Sequence, residues 1–503
     1  MSIDRILRFI LASFLCTLSV VVLSQPAMAA TPLSVRLQTP ETIDATPPGV
    51  GAPPYHIFTC QRGVSVGACY DPYQMRRAYQ LDSLINAGYD GTGHTIVIVD
   101  AFQNPNLVTQ MAVFDGLYGL PAVSLTQIAP DGLTPFDPTD GNMIGWAEEI
   151  SLDVAWSHAI APGANIVLVL AKSNMDADIV SAVKYAVDHN LGDVISMSFG
   201  ENESCVDPGI LAEYHDLFAA ATAQNITLFA SAGDQGAALP TCDGNSWVKA
   251  ASSPASDPLV TGVGGTELHA AGWPSACTDT TTCPPPSPVP GTYQGETVWN
   301  EGPPFGDFQP FFGATEATGG GFSVLFDEPP YQQGTGGLHG GKQRAVPDVA
   351  YNAAILHGVL TYLDIPGVAP GFYRFGGTSC GSPQWAAITV IANQKAGGRL
   401  GFLNKAIYQI GKVNKAYPAS FNDITTGNNS SGEFDSMGNP VIVIGFNAGA
   451  GWDATTGIGT PIGTSLVDYL IRYVSPGDGK SAIATTKPKP HPKPIVPGSM
   501  DPH

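Results

Sequence analysis

From about residue 70 the chain alternates short apolar runs with stretches of helical texture, and few sequence features restrict a fold more. Thr95-Ile96-Val97-Ile98-Val99-Asp100 is an apolar run that ends in an acid. Residues 165–170, 194–198, 226–230 and 259–263 are further runs of this kind, while 143–158, 177–189 and 210–224 read as helices. A strand without polar alternation has to be covered on both faces. The alternation therefore predicts an α/β fold with a mainly parallel central sheet and helices on both faces. In such sheets ligands sit at the carboxyl ends of the strands.

Phe375-Gly376-Gly377-Thr378-Ser379-Cys380-Gly381-Ser382-Pro383-Gln384-Trp385-Ala386-Ala387 reads as a glycine turn, a serine and an apolar helix running to about Lys395. Glycines permit a close backbone approach there. A serine at a helix start lies beside free backbone N–H groups and the positive end of the helix dipole, which suits acyl transfer through an oxyanion. The same serine could equally be a helix cap. Gly377-Thr378-Ser379-Cys380-Gly381 also fits the G-x-S-x-G elbow of α/β-hydrolases, whose histidine follows the serine. After Ser379 only His491 and His503 remain, both in a Pro/Lys-rich tail, so that reading lacks a base. The wider Gly-Thr-Ser-x-x-x-Pro pattern, with Pro383 in the first helical turn, resembles the subtilisin-like clan. Cys380 beside the serine reads as a small buried residue rather than a nucleophile.

Far upstream lie the acids that would serve such a serine. Glu149 and Asp153 are i and i+4, so they share one helix face, flanked by Ile150, Leu152 and Val154. Stacked carboxylates repel unless they share a proton, which raises an apparent pKa of the pair and makes a general base at low pH. The alternative is an ordinary solvated acidic face. Glu148 points off that face. Asp234, in Ser231-Ala232-Gly233-Asp234-Gln235-Gly236, follows a strand end, as a turn residue or a site residue.

Composition and processing signals bound the setting. The formal net charge is -21, although only 13% of residues are charged. That balance argues against a nucleic-acid partner and suits an acidic medium. Residues 1–29 read as a secretory signal, with Arg5 and Arg8, an apolar run and Ala27-Met28-Ala29 as a cleavage site. No later run is long enough to anchor the chain in a membrane. Seven cysteines follow the signal, and in an oxidising compartment close pairs bridge. The local choices are Cys60 with Cys69 and Cys277 with Cys283, leaving Cys205 with Cys242, with the connectivity open and Cys380 odd. Residues 30–69 read as an extended arm. The proline run at 284–286 reads as a surface insertion. Residues 475–503 read as a disordered Pro/Lys tail.

Between about Tyr70 and Tyr473 the motifs, taken in order, resemble the sedolisins, the serine-carboxyl peptidases of the subtilisin fold. Glu149-x-x-Leu152-Asp153 matches that family's acid pair. Ala230-Ser231-Ala232-Gly233-Asp234-Gln235-Gly236 matches its oxyanion aspartate, and Gly377-Thr378-Ser379-x-x-x-Pro383 matches its nucleophile. Ser253-Pro254-Ala255-Ser256-Asp257-Pro258, Gly319-Gly320-Gly321-Phe322-Ser323 and Arg344-Ala345-Val346-Pro347-Asp348-Val349 are similar to further family blocks. A subtilisin would need a histidine between its Asp and Ser. The histidines followed by glycine, His339 and His357, lie too close before Ser379.

The resemblance implies one peptidase domain over 70–474 and a secreted, monomeric endopeptidase that acts in acid on proteins or peptides. It implies that Glu149 is the base for Ser379 and that Asp153 orients Glu149. A protonated Asp234 would donate to the oxyanion, because a neutral carboxyl can donate where a carboxylate cannot. Asp100 would extend the proton network, and Phe199 stands where some relatives place tryptophan. The resemblance further implies one structural Ca2+, held by side-chain oxygens of Asp423 and Asp453 and carbonyls of Ile424, Gly449 and Gly451. Glu433 and Asp435, in the polar stretch between, read as solvated. Sedolisins usually carry a large folded prosegment. Here residues 30–69 alone separate the signal from the domain, so the implied alternatives are folding without one or supply by another chain. The competing functional readings are a silent sedolisin scaffold that only binds and, further off, a histidine-based peptidase.

Overall fold

The computed structural model describes residues 57–62, 67–279, 283, 288–302, 315–338, 342–474, 477–484 and 486–489, with the backbone of residues 31 and 32. The signal reading of 1–29 and the proline insertion at 284–286 lie outside the described residues.

Each apolar run forms a strand, and each helical stretch a helix, within a few residues of expectation. The strands are β1 (Thr95–Ala101), β2 (Ser124–Ile128), β3 (Asn165–Ala171), β4 (Val194–Met197), β5 (Phe199–Asn202), β6 (Thr227–Ser231), β7 (Thr261–Ala270), β8 (Tyr293–Val298), β9 (Val349–Asn352), β10 (His357–Leu363) and β11 (Gly371–Phe375). The helices are α1 (Leu107–Tyr118), α2 (Gly141–Ile160), α3 (Asp176–Asp188), α4 (Pro208–Ala223), α5 (Gly381–Ala396) and α6 (Asp478–Ile483). The central sheet runs β8-β7-β6-β4-β1-β3-β2, and β9 also pairs with β7. Every pairing in it is parallel except β7 with β8. Ile96, Val97, Ile98 and Val99 have no exposed surface, as strands covered on both faces require. Helices α2 and α5 pack on each other against β1, while α3 and α4 pack together against β3 and β6. This is the subtilisin-like α/β fold expected, in one domain.

A second, smaller sheet joins Ala68–Tyr70, β10 and β11, and β11 runs directly into the Gly376-Gly377 turn. The three disulfides are Cys60–Cys69, Cys205–Cys242 and Cys277–Cys283, and Cys380 is free and buried.

Three segments depart from expectation. Residues 57–62, read as part of an extended arm, include a short helical turn with Phe58, Cys60 and Gln61 buried. The Gln61 amide donates to Asp71 and Gln74, which ties the turn to the body of the fold. The proximal tail, read as disordered, forms α6 against α4. Asp478 pairs with Lys405, the Thr486 carbonyl meets His215, and the Lys489 N–H donates to the Leu325 carbonyl at 2.8 Å. One short apolar turn around Ala482 is too brief to register as a pattern, yet it docks where a surface waits for it. Glu433, read as solvated, is buried and accepts from Ser431 at 2.8 Å.

Candidate active site

Helix α2 is unusual in being buried along nearly its whole length. Asp140 caps its start by accepting the Asn142 N–H at 2.8 Å. From Trp146 to Ile160 every residue is buried, so both acids leave water entirely. Glu149 and Asp153 have no exposed surface. Asp100, at the carboxyl end of β1, joins them, and it too is fully buried. Glu148, set aside as pointing off the face, is also buried at 6% exposure, and burial lifts its carboxyl to about 8. A solvated acidic face is therefore not what α2 presents.

Ser379 approaches this cluster from the start of α5, which packs against α2. It lies in a single helical turn, Thr378–Cys380, that leads into α5. Gly377 before it has φ 99°, and a Cβ there would stand 2.5 Å from Asp234 Oδ2. Only glycine fits, and the close approach is what brings Asp234 beside the nucleophile turn. Asp234 Oδ1 accepts the Thr378 N–H at 2.8 Å and the Thr378 hydroxyl at 2.7 Å. Its Oδ2 has no hydrogen-bond partner among the described residues, nor does Ser379 Oγ.

The electrostatics follow from burial. Desolvation, then Asp153 and Asp100, hold the Glu149 carboxyl well above the ordinary carboxylate range, and the nearby Ser379 hydroxyl acts the other way. Desolvation and Asp100 do the same to Asp153, opposed by the Ser198 hydroxyl. Burial lifts Asp100 to about 8 and, against the two bonds from Thr378, Asp234 to about 7. Ser379 and Ser198 influence these acids, but none of the Glu149 or Asp153 oxygens reaches hydrogen-bond geometry among the described residues. Buried oxygens left open in this way mark a place where a ligand or a proton completes the network. Cys380 faces the same acids, and burial with Asp153 pushes its thiol up, so it is no thiolate.

The described histidines are engaged elsewhere. His158, on α2 itself, meets the Pro121 carbonyl and Asp115. His94 faces Asp193, His189 the Tyr185 carbonyl, and His215 Asp257, while His269 and His357 face Glu267. His339 lies outside the described residues.

Comparison with known proteins places the chain in a family. The model of the subtilase family matches residues 141–443. Kumamolisin from Bacillus sp. (strain MN-32) is 32% identical over 425 residues, which is 83% of this chain and 66% of that protein. Sedolisin from Pseudomonas sp. (strain 101) is 32% identical over 58% of this chain and 43% of its own length. This chain belongs to the sedolisins of the subtilase family. The solved Pseudomonas sedolisin, complexed with pseudo-iodotyrostatin, superposes with a TM-score of 0.63 at 26% identity, covering 82% of this chain and all of that one. Mouse tripeptidyl-peptidase 1 is more distant, at 28% identity over 56% of the chain and 44% of its own length. The chain thus spans about half to two thirds of the length of these curated relatives.

Within this sedolisin, sequence reasoning passed over several residues of the site. Thr378 holds Asp234, Ser198 faces Asp153, and Glu148 is buried. Phe199 packs near Trp146 at 6.5 Å, so an aromatic pair fills the place beside the acids. On β5, Glu201 shares a hydrogen bond with Asp176, and its carboxyl is lifted to about 8 by burial and by that neighbour. Thr378 lies inside the serine motif and Glu148 on α2, but no pattern in the sequence gives their contacts; Ser198 and Glu201 are marked only by their place beside the ends of strands.

The loops read as a calcium site also come together. The Gly451 N–H reaches both Asp423 oxygens, at 3.2 and 3.1 Å, and the Gly449 N–H reaches Asp453 Oδ2 at 3.1 Å. Among the described residues no backbone N–H is donated to the Ile424, Gly449 or Gly451 carbonyls. Two carboxylates and free carbonyls around a glycine loop are hard oxygen donors, the set that calcium takes. The residues present fit the ion.

Proposed function

We propose that this sedolisin is an exported serine-carboxyl endopeptidase that cleaves proteins or peptides in acid, as a monomer. The observation that carries the reading is the fully buried Glu149–Asp153–Asp100 cluster beside Ser379. A histidine base is unnecessary where a carboxyl is held protonatable well above its ordinary range.

Ser379 Oγ attacks the peptide carbonyl while Glu149 takes its proton. Asp153 orients Glu149 and, with Asp100, keeps the shared proton within the cluster. The oxyanion forms against the Ser379 backbone N–H and a protonated Asp234, whose Oδ2 is the free oxygen. Glu149 then gives its proton to the leaving nitrogen as the C–N bond breaks. Water repeats the sequence on the acyl-serine.

The edge of β5 supports an extended substrate. Thr31 and Pro32 already lie antiparallel along it, opposite Gly200 and Phe199. A peptide strand added at this edge would run past the cluster, in the manner of strand addition to a sheet. Calcium at Asp423, Asp453, Ile424, Gly449 and Gly451 would stiffen the loop beside the Gly319–Gly321 segment, without touching the reacting atoms.

The test is digestion of a denatured protein by the purified chain from acid to neutral pH, with cleavage sites mapped by mass. Turnover should be greatest in acid and fall through neutral pH, as Asp234 loses its proton near 7. Asp234→Asn keeps a donor at every pH, so it should turn over more slowly yet lose less rate toward neutral. Activity that climbs to a plateau near pH 8, as a histidine base gives, would sink the assignment. No cleavage at any pH would favour the silent scaffold.

A further inference from the structure

On β7, far from the carboxyl cluster in chemistry, Glu267 and His269 are two residues apart and so project from one face of the strand. His357 opens β10 and comes up beside them. Glu267 Oε1 lies 3.2 Å from His357 Nδ1 and 3.6 Å from His269 Nε2. The two imidazole rings stand edge to face with centroids 4.8 Å apart. One donor atom from each of the three side chains lies within 4.8 Å of the others. The Leu268 carbonyl accepts from His357 Nδ1 at 3.1 Å, a bond that coordination through Nδ1 would replace. The Glu267, His269 and His357 side chains are 27%, 44% and 19% exposed, so an ion can reach them from solvent.

We propose that Glu267, His269 and His357 form a second metal site, which takes a borderline divalent cation of the zinc class. Two imidazoles and one carboxylate are the donors that such ions prefer, whereas calcium takes oxygen alone. Three protein ligands leave a position for water. The geometry is distinct from the Asp423/Asp453 loops, and the inference does not rest on the peptidase reading.

The surroundings are mixed in charge. Arg374 acts on His357, while its guanidinium donates to the Ala68 and Leu356 carbonyls. Glu301 and Glu296 lie on the acidic side of the neighbourhood. Arg374 would temper affinity for a cation. The consequence is mechanical. β7 belongs to the central sheet, whereas β10 belongs to the small sheet whose last strand leads into the Ser379 turn. The Asn352 side chain donates to the His357 carbonyl, and the Ala353 carbonyl next to it receives the Gly377 N–H at 2.7 Å. An ion at the site would staple the two sheets at that junction.

The experiment titrates the purified full chain with Zn2+ near pH 7.5 in excess Ca2+, where imidazole nitrogens are free to bind. The readouts are bound zinc by elemental analysis after dialysis, the melting temperature, and the visible spectrum of the Co2+ form. One zinc per chain, a raised melting temperature and intense Co2+ bands of low coordination number are expected. His269→Asn, at a largely exposed position, and Glu267→Gln should each weaken binding by about tenfold or more. Both should keep their calcium response, which shows that the variants fold. Absence of saturable zinc binding would overturn the site. So would zinc binding that both substitutions leave unchanged, because the ion would then sit elsewhere.

Discussion

Arg344 and Asp348 are as deeply buried as Glu149 and Asp153, yet the fold treats the two groups in opposite ways. The Arg344 guanidinium meets both Asp348 oxygens, at 2.7 and 2.5 Å, and the Ala345 and Val260 carbonyls. Asp348 further accepts the Gly262 N–H and the Tyr408 hydroxyl. Opposite charge and these six hydrogen bonds offset the desolvation. The acids of α2 have other acids, two hydroxyls and the Cys380 thiol near them, and their oxygens stay open among the described residues. One buried group has every polar atom but Arg344 Nε paired, so it holds strands together. The other is unfinished, and burial among acids makes its carboxyls hold protons above the ordinary range, which the proposed proton transfer uses.

The sharpest way to break this comparison is Ser379→Ala. Proteolysis by the purified variant should fall by about 10^4-fold or more, since a missing nucleophile leaves only binding and the oxyanion donors. Its melting temperature should be unchanged or higher, because a buried unpartnered hydroxyl is removed. A variant that melts much lower would show the catalytic cluster to be a structural one. Asp348→Ala should behave in reverse. Leaving Arg344 buried without its partner costs about 3–5 kcal/mol, read as a drop in denaturant midpoint. A loss under about 1 kcal/mol would remove the contrast.

Titration separates the groups more finely. Asp100 and Asp234 take up protons in the folded chain at about 8 and about 7, far above the ordinary 3.8 of the unfolded chain. The folded state then binds more protons than the unfolded one between those limits. Stability contributed by these acids is full below about pH 4 and is lost as pH rises through 7 to 8. Urea melts of Ser379→Ala from pH 4 to 8.5 should show that decline, and a Glu149→Gln background should show less of it. A flat profile would mean that the acids are not desolvated as described.

The smallest expected effect is calcium removal. Excess chelator should lower the melting temperature by the equivalent of about 2–3 kcal/mol if the free ion had been near 100 times its Kd. The activity per folded molecule should hardly change, because Asp423 and Asp453 lie in loops apart from the reacting atoms. An unchanged melting temperature, with no calcium found by elemental analysis, would count against the site.

Spacing marked candidates for the site, and the resemblance to the sedolisins joined Glu149, Asp153 and Asp234 to Ser379. The i, i+4 relation of Glu149 and Asp153 survives any packing, and Asp234 was visible as the acid just past an apolar run. Glu148 was not legible. Helical periodicity assigns it a different face from Glu149, and only the packing around α2 shows that this face too is covered. The proximal tail and residues 57–62 escaped for the opposite reason. Each is short, and each is ordered by partners outside itself, Asp478 by Lys405 and Gln61 by Asp71 and Gln74. Glu433 was read as solvated because polar sequence around a residue says nothing of what folds over it.

By itself the sequence determined the order of strands and helices, the pairing of acids on one helix face, and the glycine turn before Ser379. These are local properties, set by side-chain period and by what a backbone can adopt. The tertiary structure alone decided that α2 is buried on all sides and that Asp234 Oδ2 stands where only Gly377 leaves room. It alone brought His269 and His357 to the same carboxylate. Those facts depend on the solvent and the neighbours that each group meets after folding. Desolvation and contact across tens to hundreds of residues have no counterpart in any short stretch of chain.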